Sequence, residues 1–200
     1  MNRRLGVLIS GRGSNLQSII DAVDNGQLEA EIAVVISNKK DAKGLARARQ
    51  AGIETVVLSH QDYPSRETFD LAVVDELRAR DVGLVCLAGF MRLLSPAFIK
   101  AFPNAILNIH PSLLPAFVGL DAQEQAWCYG AKVAGATVHI VTAELDNGPI
   151  VCQAAVPINE VDSVEMVASR ILVEEHRIYP EAIKTMLSGQ WRIEGRRFVS

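Results

Sequence analysis

The chain has 200 residues, of which 49% are hydrophobic and 22% charged, and this composition excludes an intrinsically disordered protein. Its 20 Lys and Arg residues against 23 Asp and Glu residues leave a net charge of −3. A surface of this charge argues against a nucleic-acid coat, which needs a basic stripe. At about 150 residues per domain, we predict one domain over residues 1–200.

The sequence carries no signal of a membrane or secreted protein. No apolar run approaches the roughly 20 residues of a membrane helix, and the N-terminus does not resemble a signal peptide. The three cysteines, Cys86, Cys128 and Cys152, have no metal-type spacing, and the histidines are dispersed. We therefore expect a cytoplasmic protein with reduced thiols and no metal. It should bind neither nucleic acid nor membranes. We expect it to be a monomer or a homodimer.

The first half of the chain alternates strands and helices. An apolar strand over 5–9, a glycine turn, a helix over 16–23 and a strand over 32–37 form one βαβ unit. The alternation continues to residue 129. Further helices are predicted over 43–50, 66–81, 96–101 and 121–129, and further strands over 54–58, 82–88 and 105–110.

The second half of the chain no longer alternates strands and helices. Two β-prone runs, 136–142 and 150–156, are separated by a seven-residue loop that is long for a hairpin turn. A helix follows over 163–187, with a break expected near Pro180 and a cap formed by Asp162 with Glu165. The tail over 190–199 is predicted to form an edge hairpin.

These elements predict an α/β fold: an open, mostly parallel, doubly wound (Rossmann-like) sheet with antiparallel strands in the C-terminal half. In such sheets ligands bind beyond the carboxyl ends of the strands. We therefore look for the site just after Ile9, Ala88 and Ile109.

A glycine-rich turn follows the first strand and opens the first helix. Its residues are Gly11, Arg12, Gly13, Ser14 and Asn15. Glycines let the backbone approach a ligand closely, and a helix N-terminus favours phosphate. The turn lacks the third glycine of a dinucleotide fingerprint and the lysine of a P-loop, so a small phosphate monoester fits better. A tight turn with Ser14 as the helix cap explains the same spacing equally well.

A polar pair lies at the end of the strand over 105–110. Alternation places Asn108 and His110 on one face and Ile109 on the other. An amide and an imidazole side by side suit a reaction in which a carbonyl oxygen gains negative charge. The structural alternative is that both side chains only satisfy buried neighbours. The pairing at this end of the sheet favours the functional interpretation.

Asp146 is the third candidate, in the 143–149 loop. Asp and Asn before glycine are ordinary turn residues, but a carboxylate here would also orient the His110 imidazole. The other histidines are weaker candidates. His139 is expected to be structural and His60 solvated, whereas His176 stays open.

Together, these motifs resemble the phosphoribosylglycinamide formyltransferases, a branch of the folate-dependent formyltransferase family. The resemblance covers nearly the whole chain. It rests on the runs Gly11–Gln17, Leu87–Arg92 and Asn108–Pro115. It also rests on Gly135, His139 and Asp146, the last followed by Gly148 and Pro149.

The resemblance implies an enzyme of purine biosynthesis. It would transfer the formyl group of 10-formyltetrahydrofolate, its co-substrate, to the amine of glycinamide ribonucleotide, without a metal. Asn108, His110 and Asp146 would be catalytic, the 11–15 turn would bind the substrate phosphate, and Glu175 would contact the ribose. The folate pocket would comprise Arg66, Leu87, Met91, Arg92, Leu93, Leu94, Phe98, Asn108, Glu144 and Asp146.

The chain departs from the family pattern at two positions. Ala116 stands where several members have a basic residue, and Asp121 where some have histidine. The enzyme alternative is a formyltetrahydrofolate hydrolase, which shares the three catalytic residues but normally carries an N-terminal regulatory domain. A methionyl-tRNA formyltransferase would need a further domain and a basic face. A catalytically inactive binding module is disfavoured by the intact catalytic set.

Overall fold

The computed structural model describes residues 2–200, which contain nine strands and six α-helices. The strands are β1 (Arg4–Ile9), β2 (Glu31–Ser37), β3 (Thr55–Val57), β4 (Leu84–Leu87), β5 (Ile106–His110), β6 (Val133–Ile140), β7 (Ile150–Pro157), β8 (Arg192–Glu194) and β9 (Arg197–Val199). The helices are α1 (Ser14–Asp24), α2 (Lys43–Gln50), α3 (Arg66–Arg78), α4 (Pro96–Ala101), α5 (Ala122–Tyr129) and α6 (Val164–Ser188).

All strands belong to one sheet, in the order β3-β2-β1-β4-β5-β6-β7-β9-β8. The first five strands are parallel, and β6 is antiparallel to both β5 and β7. The strand order reverses between β1 and β4, which is the switch point where such sheets bind ligands. The predicted fold class is confirmed.

The central parallel strands β1 and β4 are almost entirely apolar because helices cover both faces of the sheet. In β4 all four residues are buried, and in β1 only Arg4 is partly exposed. Helix α1 packs against α2 and α6, and α3 packs against α4. Because crossovers between parallel strands are right-handed, helices α1, α2 and α6 cover one face of the sheet, and helices α3 and α4 cover the other. Helix α6 lies across β5, β6 and β7.

Several predicted boundaries were wrong. Strand β6 begins at Val133 and ends at Ile140, so the loop before β7 spans 141–149 rather than seven residues. Helix α3 ends at Arg78, before Asp81, whose φ is 52°. Helix α6 runs through Pro180 without a break. The tail does form a hairpin at the sheet edge, with β9 parallel to β7.

The expected cap of α6 was also wrong. Ser163 is the N-cap, and its hydroxyl accepts a hydrogen bond from the backbone N–H of Met166. Asp162 instead pairs with both terminal nitrogens of Arg170, at 2.8 and 3.0 Å, and accepts from the backbone of Asn159. These contacts lower the pKa of Asp162 to about 2, with the Arg170 hydrogen bond as the largest cause.

The glycine turn before α1 is shaped by one close approach. Gly13 has φ 71°, and a Cβ there would lie 2.5 Å from the Cα of Gly44. The backbone N–H of Gly44 donates to the carbonyl of Gly11, so this turn and the start of α2 pack against each other. Gly13 is the N-cap, and Ser14 is the first helical residue rather than the cap.

A buried tyrosine on α6 fixes the ends of β4 and β5. The hydroxyl of Tyr179 lies 3.0 Å from the carbonyl oxygen of Leu87 and 3.2 Å from that of Leu107. The side chain is fully buried. Because Leu107 precedes Asn108, this contact holds the strand ends that carry the candidate site.

Removing the Tyr179 hydroxyl should destabilise the fold without changing it. We expect Tyr179→Phe to lower the free energy of unfolding by about 1–2 kcal/mol, because two buried carbonyls lose a donor. Urea denaturation measures this difference. Tyr129→Phe is the matched control, since Tyr129 is 83% exposed. Equal stability of the two variants would contradict the anchoring role.

The two glycines of the turn should differ in their tolerance of a methyl group. Gly13→Ala should lower the free energy of unfolding by about 2–3 kcal/mol, through positive φ and the clash with Gly44. Gly11→Ala should change it by less than about 0.5 kcal/mol, because among the described residues nothing lies within 4 Å of the added carbon. Thermal denaturation compares the pair, and equal losses would refute this description of the turn.

Candidate active site

The three predicted catalytic side chains lie together at the carboxyl end of β5. Asn108 and His110 share one face of β5, and the 141–149 loop brings Asp146 to them. The Nδ1 atom of His110 lies 3.4 Å from Oδ2 of Asp146. Both side chains are buried, with exposed fractions of 6% and 8%.

The backbone around Asp146 is tightly constrained. Asp146 has φ 47°, a conformation that non-glycine residues seldom adopt, and its Oδ2 accepts a 3.0 Å hydrogen bond from the backbone N–H of Gly119. A Cβ at Gly148 would lie 1.7 Å from the carbonyl oxygen of Ile140. Glycine is therefore required there for the loop to pass this close to β6.

The surroundings of Asp146 keep it ionised. Burial alone would raise the pKa of this carboxyl, but hydrogen bonding to His139, the charge of His110 and the Gly119 amide together hold its pKa below the ordinary value. Because the pKa is depressed in the folded state, the stabilisation is complete above about pH 4. It is lost as the pH falls through the folded-state pKa. At neutral pH the site therefore holds a carboxylate.

His139 belongs to this cluster, although the sequence analysis expected only a structural histidine. It lies opposite Asn108 in the β5–β6 pair. Its Nε2 is 3.2 Å from Nδ2 of Asn108 and 3.7 Å from Oδ1 of Asp146, and its Nδ1 faces the carbonyl of Ile140 at 3.1 Å. The Nε2 atom of His139 thus faces both the Asn108 amide and the Asp146 carboxylate. The match of His139 to the family pattern was the sequence signal available for it.

A turn after the proline loop closes over His110. The Nε2 atom of His110 lies 2.9 Å from the carbonyl oxygen of Phe117, a residue whose φ is 52°. Both ring nitrogens thus face oxygen atoms, one from Phe117 and one from Asp146. The contact of His110 with Phe117 and that of Asp146 with Gly119 both involve backbone atoms, which no side-chain motif reveals.

The 111–115 loop is held rigidly beneath the site. The hydroxyl of Thr137 donates to the carbonyl of Ser112 at 2.7 Å and accepts from the N–H of Leu114 at 3.1 Å. Gln153 donates to Thr137 and to the carbonyl of Leu114. The Leu114–Pro115 peptide is cis. Strands β6 and β7 thereby fix the segment that follows His110.

The predicted phosphate and ribose residues meet at the start of α1. Nδ2 of Asn15 donates a 2.7 Å hydrogen bond to Oε2 of Glu175, which is buried on α6. Burial raises the pKa of Glu175, although Asn15 and the charge of Arg12 act in the opposite direction. Oδ1 of Asn15 is buried with no partner among the described residues. Two segments 160 residues apart thus form one polar site.

A buried serine joins this turn to the predicted folate segment. The hydroxyl of Ser10 donates to Oδ1 of Asn38 at 2.6 Å and accepts from the N–H of Met91 at 2.9 Å. The N–H of Ser10 also donates to the carbonyl of Gly89. The ends of β1 and β4 are therefore linked directly.

The predicted folate residues divide into buried and exposed groups. Leu87 and Phe98 are buried, Leu94 and Arg92 are partly buried, and the guanidinium of Arg92 lies 5.2 Å from the ring centroid of Phe69. The Nε of Arg92 is buried with no partner in the described part of the chain. The exposed members are Arg66, Met91, Leu93 and Glu144.

The remaining candidates lie apart from the catalytic cluster. His176 lines a groove of about 740 Å³ between α1 and α6, in which Asn108, His110 and Asp146 have no part. His60 is half-buried beside Phe69 rather than fully solvated. Asp121 precedes α5 with φ 54° and makes no side-chain capping bond. The carbonyl of Ala116 accepts from the Ser112 hydroxyl.

Residues 2–200 lack two further kinds of feature. No group of three or more His, Cys, Asp or Glu side chains there has an arrangement that would hold a metal ion. Over the same residues, no helix is both long and apolar enough to cross a membrane.

Comparison with known proteins gives a consistent family. The formyl transferase family model matches residues 3–183. The phosphoribosylglycinamide formyltransferase of Escherichia coli K12 is 46% identical over 94% of this chain and 88% of its own length. The trifunctional purine biosynthetic protein adenosine-3 of Drosophila pseudoobscura pseudoobscura is 48% identical, but the chain spans only 14% of its length.

Solved structures agree with the sequence comparison. The crystal structure of glycinamide ribonucleotide transformylase 1 from Symbiobacterium toebii superposes with a TM-score of 0.97 at 56% identity, covering 99% of this chain and 93% of that one. A phosphoribosylglycinamide formyltransferase from Coxiella burnetii gives a TM-score of 0.94 at 41% identity, with 100% and 93% of the two chains covered. The chain belongs to the formyl transferase family.

Proposed function

We propose that the protein is a phosphoribosylglycinamide formyltransferase that uses 10-formyltetrahydrofolate as its formyl donor. The phosphoribosylglycinamide formyltransferase activity is supported by the names of the similar proteins. The folate donor is inferred from the sequence resemblance. The observation that supports the chemistry is the buried contact between His110 and Asp146 beside Asn108. Both substrates are small molecules, and the reaction belongs to purine biosynthesis.

Two donors are available to a developing oxyanion. The Nδ2 group of Asn108 has two hydrogens, and its contact with His139 occupies at most one of them, so at least one is available to a substrate oxygen. In the free protein the Nε2–H of His110 donates to Phe117, and a formyl oxygen replaces that acceptor when substrate binds. Donors aimed at an oxyanion typically contribute about 3–4 kcal/mol each to transition-state stabilisation.

The reaction is a direct acyl transfer. The substrate amine attacks the formyl carbon, a carbon–nitrogen bond forms, and the formyl oxygen becomes an oxyanion. The bond to the folate nitrogen then breaks, the carbonyl re-forms, and a proton lost by the amine is gained by that nitrogen. Asp146 orients His110, and a water molecule between them relays the proton from the amine to the folate nitrogen.

Each substrate has its own end of the site. The N-terminus of α1, with Arg12 nearby, suits a phosphate group, and the Asn15–Glu175 pair suits ribose hydroxyls. The folate lies against the segment from Leu87 to Leu94 and the 141–149 loop. Because Ser10 links the two ends, both substrates are oriented by one rigid framework, which supplies part of the rate enhancement.

The test is a turnover assay with 10-formyltetrahydrofolate, with and without glycinamide ribonucleotide. We expect folate consumption only when the ribonucleotide is present. His110→Ala should lower kcat by about 100-fold or more, because one oxyanion donor is lost. Isothermal titration should show unchanged ribonucleotide affinity for this variant.

Formate release without the ribonucleotide would contradict the proposal and indicate a hydrolase. Ligand binding with no turnover under either condition would indicate an inactive binding protein. His60→Ala is the control for the loss of a histidine, since His60 has no contact with the catalytic cluster.

A further inference from the structure

The C-terminal hairpin reaches the loop that carries Asp146. The guanidinium Nη2 of Arg196 lies 2.9 Å from the carbonyl oxygen of Asn147 and 2.7 Å from its Oδ1. Asn147 immediately follows Asp146. One charged side chain from the end of the chain therefore contacts both the backbone and the side chain next to the candidate catalytic carboxylate.

The contact spans an otherwise open gap. A groove of about 360 Å³ separates the loop from the hairpin, with Glu144 and Asn147 on one side and Gly195 and Arg196 on the other. On the far side of its amide, Asn147 donates from Nδ2 to the carboxylate of Glu144. The Asn147 side chain thus lies between an anion and a cation, which sets the orientation of its amide.

The hairpin is a firm anchor for this contact. Strand β9 pairs with the start of β7, where Arg197 lies opposite Ile150. Trp191 stacks on Phe198 with ring centroids 5.3 Å apart, and its Nε1–H donates to the carbonyl of Met186 at the end of α6. Arg196 is therefore attached to the sheet and to α6 rather than to a free tail.

The loop itself needs such support. Asp146 is held at φ 47°, a left-handed conformation that non-glycine residues rarely adopt. The direct contacts of its carboxylate are with Gly119, His110 and His139. A bond that fixes Asn147 lowers the freedom of the adjacent residue to leave this conformation.

We propose that Arg196 is a positioning residue for the formyl transfer: it fixes Asn147 and thereby holds Asp146 against His110 and His139. The role in catalysis rests on the proposed function. The role in holding Asp146 does not, because it follows from contacts within the protein. Arg196 acts through Asn147 and is not itself assigned contact with a reacting group.

The first test separates kcat from KM. Arg196→Ala should lower kcat about 3- to 10-fold, because one charge-assisted contact is lost, and should leave the KM for glycinamide ribonucleotide unchanged. Arg197→Ala is the matched control. It removes the same type of side chain from the next position, and the Arg197 side chain makes no hydrogen bond within residues 2–200. This variant should keep the wild-type kcat. Arg196→Lys should recover part of the loss, since an ammonium still donates to Asn147.

The second test does not depend on activity. The titratable groups that face Asp146 are His110 and His139, while Glu144 and Arg196 act on the neighbouring Asn147. In Arg196→Ala the carboxylate should move away from both rings. Carbon-13 NMR titration of the Asp146 carboxyl should then show its pKa rising toward the ordinary value, with no change in Arg197→Ala.

A double-variant cycle tests the route through Asn147. Asn147→Ala should reproduce most of the Arg196→Ala loss, and the double variant should lose little more than either single variant. Equal kcat and equal Asp146 titration in Arg196→Ala and Arg197→Ala would overturn the inference. A wild-type protein without ribonucleotide-dependent turnover would refute the proposed function, whereas a raised Asp146 pKa in Arg196→Ala would still support the positioning role.

Discussion

The site depends on one constraint: the carboxylate of Asp146 is buried against two imidazole rings. Burying an ionised carboxylate is costly unless charges and donors compensate it. Here His110 and His139 come from adjacent antiparallel strands, and the Gly119 amide comes from the turn that closes over them. Much of the surrounding architecture, from the proline loop to the requirement for glycine at position 148, serves to bring these groups together.

The fold supplies this arrangement by changing strand direction at β6. Up to β5 the sheet is parallel, and its carboxyl ends share one edge. The antiparallel β6 places His139 opposite Asn108, and the loop from β6 to β7 then returns to the same edge with Asp146. Tyr179 ties β4 and β5 from beneath, so the helix that carries Glu175 also fixes the strand that carries His110.

Hydrophobic patterning was enough to predict most elements, because buried parallel strands and amphipathic helices have distinct periodicities. Helices α2 and α4 were predicted to the residue. The start of β6 was missed because Val133 to Gly135 lack a strong β-prone pattern, and Pro180 was taken to break a helix that tertiary packing keeps intact. The structure brings Asn108, His110 and Asp146 together as expected. The residue patterns did not predict a site role for His139, Phe117 or Gly119, since strand register and backbone donors and acceptors are not visible in side-chain motifs.

The central claim is that an ionised Asp146 beside His110 is needed for formyl transfer. Asp146→Asn tests it most directly, because asparagine keeps the shape and still accepts from Gly119 but has no negative charge. The account predicts that ribonucleotide-dependent consumption of 10-formyltetrahydrofolate falls at least about 100-fold, with ribonucleotide affinity unchanged. Turnover near the wild-type rate would contradict it.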